Sequence, residues 1–149
     1  IDVDVDLPCQ AYLPDSYIPD IRTKIDLYRK LARLTEVSQL ADFAQELRDR
    51  FGPLPSPVER LLELHELRIH AHWWRIRNIH QEATFVVFQY VSRRKMENLQ
   101  KLAKGRLRIV DHESAYLVAD DWVGDIDRLL SELKTLLQQR AEDSYNPRA

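Results

Sequence analysis

Apolar residues recur at three- and four-residue intervals through the first half of the chain, the periodicity of helices with one buried face. A first helix is expected over residues 19–34, with Ile21, Ile25, Tyr28 and Ala32 on one face and Leu27, Leu31 and Leu34 widening the apolar stripe. A second is expected over 37–50, capped by Thr35 or Ser38, its core stripe made by Leu40, Phe43, Ala44 and Leu47 and continued by Phe51. The third, over 57–74, is apolar on two sides. Val58, Leu61, Leu62, Ile69 and Trp73 lie on one and Leu64, Leu67, Ala71 and Trp74 on the other, so it reads as the most buried helix.

The pattern then changes. Residues 77–81 and 83–90 read as strands, the second apolar on both faces as a central strand would be. Ser92 caps a helix running to about residue 104, where Gly105 stops it, with Met96, Leu99, Leu102 and Ala103 inward. Residues 106–110 and 115–119 form a hairpin around a polar turn, and a last helix spans 125–140. The fold class is therefore α+β: a three-helix part followed by strand-strand-helix twice, giving a mainly antiparallel four-stranded sheet packed on helices.

Two features punctuate this order. Over residues 1–18, Asp2, Asp4 and Asp6 alternate with Val3, Val5 and Leu7, and prolines at 8, 14 and 19 keep the backbone extended, so this part reads as a strap or edge strand. Between the second and third helices, Gly52 supplies a residue free to adopt a positive φ, and Pro53, Pro55 and Pro57 forbid the helix from continuing. Ser56 and Glu59 have the spacing of a capping box for the next helix. One domain is expected over 19–141, and residues 142–149, which lack apolar anchors, are expected to be a disordered tail.

Composition narrows the function. A chain of 149 residues with 31% charged residues and a net charge of −2 has no field that would draw it to nucleic acid or an anionic membrane. It has no apolar run long enough to span a bilayer and no signal-peptide pattern, and its one cysteine, Cys9, has no partner for an internal disulfide; a cytoplasmic location is expected. The chain begins with Ile1, so it is expected to be part of something longer.

The polar clusters are the candidates for chemistry. The aspartates at 2, 4 and 6 lack the glycine and distant glutamate of a calcium loop. His65, His70 and His72 are spaced by five and two, not by the four that would put a zinc-binding pair on one helix face. Ser114 beside Asp111 and His112 reads as a turn, and Asp120 with Asp121 as a loop leading to Trp122, so no catalytic residue, metal or cofactor is expected. Arg93, Arg94, Lys95, Lys101, Lys104, Arg106 and Arg108 cluster in sequence and are the best candidates for phosphate contacts, but they are not interleaved with exposed aromatics. The second helix offers a different feature: Asp42, Glu46 and Asp49, with Gln45 beside them, follow i, i+4, i+7 and point one way. Either solvent screens these like charges or something basic sits opposite.

Residues 46–55, ELRDRFGPLP, resemble the ELxDRFGxLPxP signature of the C-terminal domain of the bacterial transcription-repair coupling factor. AYLPDSYIPD at 11–20, followed by Arg22 and by LYRKLA at 27–32, is similar to a second stretch of that family, and the paired leucines 61 and 62 through Leu67 and Arg68 also fit. The similarity is good over roughly residues 8–80 and weak beyond. It implies a non-catalytic regulatory domain that docks on the UvrB-like module of its parent protein and masks UvrA binding until RNA polymerase is engaged. It also implies that Glu46 and Asp49 face arginines of that module. A stand-alone adaptor for another protein or for nucleic acid is the alternative. The family has a glycine just after the third helix where this chain has Arg75; because a left-handed arginine costs about 1–2 kcal/mol, this helix is expected to end differently.

Overall fold

A computed structural model describes residues 1–140; the tail expected at 142–149 lies outside the described residues. In chain order the elements are β1 (Asp4–Asp6), α1 (Ile21–Ala32), α2 (Val37–Phe51), α3 (Ser56–Trp73), β2 (Ile76–Glu82), β3 (Phe85–Tyr90), α4 (Arg93–Leu102), β4 (Leu107–Ile109), β5 (Ser114–Val118) and α5 (Ile126–Leu137). The class is α+β, with one correction: the sheet has five strands in the order β1-β2-β3-β5-β4. The added strand, β1, runs parallel to β2 with Asp4 opposite Asn78 and Asp6 opposite His80, while the other pairings are antiparallel. The alternation that marks β1 is real, since Val3 and Leu7 are buried and Asp2, Asp4 and Asp6 exposed. Its partner strand, however, is more than 70 residues away in sequence, beyond what local pattern can assign.

Contacts divide the chain into two compact units, and the division falls inside the span read from the sequence as one domain. Among the described residues, one unit comprises Ile1 and Pro8–Ile69, the other Asp2–Leu7 and residues 70–140.

The first unit packs α1, α2, the strap and most of α3 around Leu13, Ile18, Leu27, Leu31, Phe43, Leu47 and Val58. Strap residues are tied down by specific bonds. The Tyr17 hydroxyl reaches the Gly52 carbonyl at 2.7 Å and the Leu47 carbonyl at 3.2 Å, and its ring meets Phe51 at 5.7 Å. The Leu13 N–H donates to the Tyr28 hydroxyl at 2.8 Å, and the Tyr12 N–H to the Pro57 carbonyl at 3.2 Å. His65, on α3, is buried with Nε2 at 2.8 Å from the Leu34 carbonyl, and burial depresses its pKa.

Three local expectations change. Helix α2 is capped by Glu36, whose side chain pairs with the backbone at Gln39 while the Gln39 side chain returns the bond, so a capping box forms one residue away from Thr35. Helix α3 opens at Ser56 itself, the Pro55 carbonyl accepting from Val58 and Glu59. On α1 the buried side is Leu27 and Leu31; Ile21, Ile25 and Tyr28 are exposed.

The second unit lays α4 and α5 against the sheet over a core that includes Trp74, Ile79, Phe88, Met96, Leu99, Leu117 and Leu133. The Trp74 indole N–H donates to the Leu137 carbonyl at 2.9 Å. Ser92 and Asp125 cap α4 and α5 by accepting from Lys95 and Arg128 backbone N–H groups. After α3, Arg75 does take a left-handed conformation, φ 60°, contrary to the expectation from its side chain. The chain reverses there into β2, and the Arg75 carbonyl accepts from Val91, a bond that holds the strained residue in place.

Candidate protein-docking surface

Helix α2 turns its core stripe of Leu40, Phe43, Ala44 and Leu47 inward, and the 3.6-residue period therefore sends Asp42, Gln45 and Asp49 to solvent with Glu46 at the boundary. The helix is stopped hard. Gly52 sits at φ 91° and ψ −170°, a region open only to glycine, and its N–H closes the last turn on the Arg48 carbonyl. With Tyr17 bonded to the Gly52 carbonyl, the C-terminal turn carrying Glu46 and Asp49 is fixed at both its backbone and its flank.

The four residues do not behave alike. Glu46 is the most engaged: its carboxylate accepts from Lys30 of α1 and from Arg50 Nη1 at 3.2 Å, one turn on. These cations, Lys30 first, hold its pKa below the usual carboxylate range. Its side chain nonetheless remains 31% exposed. Asp49 is exposed and accepts from the Gln45 amide at 2.8 Å, and Gln45 also takes a bond from Arg48 at 3.5 Å. Asp42 is exposed with no ion pair among the described residues. The like charges anticipated along this face are thus relieved in part within the unit itself, by Lys30 and Arg50. The sequence reading pairs neither with Glu46; Arg50 is findable, being four residues after it. Lys30 is not, because its place opposite Glu46 is set by how α1 packs on α2. Beside the corner, Arg48, Pro53, Leu54 and Glu59 line an open groove that no sequence motif marked.

The other clusters are in part engaged structurally. Asp121 pairs with Arg106 at 3.1 Å and Arg128 at 3.7 Å, and the Arg106 guanidinium lies 4.6 Å from the centre of the Trp122 ring. Of the basic run, Arg93 pairs with Glu97, and Lys95 sits 3.6 Å over the Trp73 ring while donating to the Trp73 carbonyl. Asp111 accepts from the Glu113 and Ser114 N–H groups, closing the turn between β4 and β5. Among the described residues no group of three or more histidines, cysteines or carboxylates is placed to hold a metal ion, and no helix is long and apolar enough to cross a membrane.

The family model of the TRCF domain matches residues 7–102, well over half of the chain. The chain belongs to the TRCF domain family. The transcription-repair-coupling factor of Staphylococcus haemolyticus is 46% identical over 70 residues, which is 47% of this chain and 6% of that protein. Those of Staphylococcus epidermidis and Staphylococcus aureus are 44% and 43% identical over the same length, with the same coverage. The match therefore spans a small fraction of the curated relatives. A solved structure described as the C-terminal domain of transcription-repair coupling factor superposes with a TM-score of 0.77 over 91% of both chains at 20% identity, so the fold of this TRCF domain is shared. The family match runs through the strap, α1, α2 and the corner, and on into α4, so it includes the residues that build the acidic face.

Proposed function

We propose that this domain is the non-catalytic regulatory latch of a transcription-repair coupling factor in bacterial transcription-coupled DNA repair. It docks, through the acidic face of α2, on arginines of the UvrB-like module of its parent and masks UvrA binding until RNA polymerase is engaged. The parent supplies the ATP-dependent translocase and acts in the cytoplasm. The observation that carries the reading is the rigidly presented face of Asp42, Gln45, Glu46 and Asp49, negative and accessible, in a chain of this family.

The ion pairs of Glu46 sharpen the physics. An arginine arriving from the partner does not meet a bare carboxylate; it exchanges with, or joins, Lys30 and Arg50. Exposed pairs contribute on the order of 0–1 kcal/mol each, so docking through such a face is shallow in free energy. That suits a latch which another binding event must open. Asp49 and Asp42, without a competing cation among the described residues, carry the larger share of new charge pairing.

The test is titration of the isolated UvrB-like module of the parent with this chain. Asp49→Arg alone, and together with Glu46→Arg, is expected to weaken binding by about tenfold or more while leaving the fold intact, because charge reversal replaces attraction by repulsion. The same changes in the full-length parent are expected to raise UvrA binding. Unchanged affinity of both variants for the UvrB-like module overturns the reading.

A further inference from the structure

Helix α1 carries two apolar stripes and uses one. Leu27 and Leu31 are 3% and 5% exposed, whereas Ile21, Ile25 and Tyr28 are 63%, 42% and 36% exposed. Ile21, Ile25, Tyr28 and Ala32 follow i, i+4, i+7, i+11 and so form one continuous line along the outside of the helix, about 16 Å long at 1.5 Å per residue. At roughly 100° per residue, Arg22, Arg29 and Arg33 fall along one border of this line, with Asp26 the single carboxylate among them. None of the three arginines has an ion pair among the described residues, although other exposed cations of this unit, Lys30 and Arg50, do.

We propose that this outer face of α1 docks an acidic amphipathic helix of a partner protein. The apolar line spans three turns of a capped helix, with Asp20 accepting from the Thr23 N–H, and therefore offers a ridge for another helix to pack along. Tyr28 is a preformed anchor: its hydroxyl accepts the Leu13 N–H, so the ring loses little freedom on being covered. Tyr12, next to Leu13 in the chain, is 44% exposed and adds apolar surface. The unpaired arginines define the charge of the occupant, because a guanidinium pairs with a carboxylate in a planar two-point contact. An anionic membrane is the poorer occupant: Asp26 interrupts the basic border, and Leu27 and Leu31 are committed to the interior, so the helix cannot sink into a lipid interface. The surface uses neither Glu46 nor Asp49 and stands whether or not the α2 latch does.

The test is fluorescence anisotropy of the whole chain with a labelled synthetic helix of about 20 residues, carrying leucines at i, i+4, i+7, i+11 and glutamates elsewhere. Saturable binding is expected, weakened about tenfold or more by Ile21→Ser with Ile25→Ser and several-fold by Arg22→Glu with Arg29→Glu, and falling with added salt. All four positions are solvated, so far-UV dichroism and melting temperature should be unchanged, and the arginine pair supplies an independent variant if the isoleucine pair perturbs folding. Any of the following overturns the proposal: no saturable binding; equal binding of a scrambled acidic peptide or of the same helix with lysines for glutamates; or insensitivity to both variant pairs. It is equally overturned if sedimentation shows that a second copy of the chain covers the face, or if anionic vesicles bind where the acidic helix does not.

Discussion

The two compact units leave different amounts of apolar surface to solvent. In the unit built on the sheet, Arg106 and Arg128 share Asp121, Arg93 takes Glu97, and Lys95 is spent on Trp73, while exposed Arg77, Lys101, Lys104 and Arg108 have no ion pair among the described residues. Its large exposed apolar residues are Val91 and Val110. In the helical unit, Tyr12, Ile21, Ile25, Tyr28 and Val37 are all exposed, and Arg22, Arg29, Arg33 and Asp42 have no ionic partner among the described residues. A domain gains nothing in its own stability from leaving such groups to solvent. Both docking surfaces proposed above lie in the helical unit, which also holds most of the large exposed apolar residues.

The contrast can be broken first at its packing. Leu47, fully buried on α2, is expected to cost about 2–5 kcal/mol as Leu47→Ala, read by urea denaturation, whereas Ile25→Ala on the exposed stripe of α1 should stay within about 0.5 kcal/mol of the parent. A comparable loss at both positions would mean the α1 stripe is part of a core. Next comes the backbone. Gly52→Ala has open space for its Cβ but an inaccessible φ and ψ, and should destabilise by about 1–3 kcal/mol. Arg75→Gly relieves a left-handed arginine and, after the entropy glycine gains in the unfolded chain, should be neutral or stabilising by up to about 1 kcal/mol.

Smallest are the charge effects. The Glu46 pKa is depressed in the folded state, so its pairing stabilises the fold above the unfolded carboxylate pKa and is lost as pH falls through the lower, folded value. The melting-temperature difference between the parent and Glu46→Gln should therefore be present at neutral pH and vanish in strong acid. His65 has the opposite chemistry: burial favours its neutral ring, so the unfolded state binds a proton first and stability declines as pH falls through the ordinary imidazole range. His65→Gln should flatten that decline in melts followed from pH 8 to pH 5.

What could be read in advance tracks how local the determining physics is. The corner after α2 was legible because Gly52 and three prolines dictate it without help from elsewhere. The inward stripe of α2 and the two-sided burial of α3 followed from periodicity alone. Helix α1 was misread for a physical reason: Ile21, Ile25 and Tyr28 are as apolar as Leu27 and Leu31, and only tertiary packing decides which line is covered. The parallel β1–β2 pairing and the Lys30–Glu46 contact were out of reach for the same reason, both joining segments whose approach depends on the finished fold. Arg75 failed differently, since a cost of about 1–2 kcal/mol is small against the packing of Trp74 and Ile76 on either side of it.

The most direct measurement is a chemical-shift map of this chain, isotope-labelled, titrated with the unlabelled UvrB-like module. The account predicts the largest shifts along the exposed turns of α2, at Asp42, Gln45, Glu46 and Asp49, with Lys30 and Arg50 following as Glu46 changes partner. Shifts concentrated in β2 to β5, with those α2 residues silent, would contradict it.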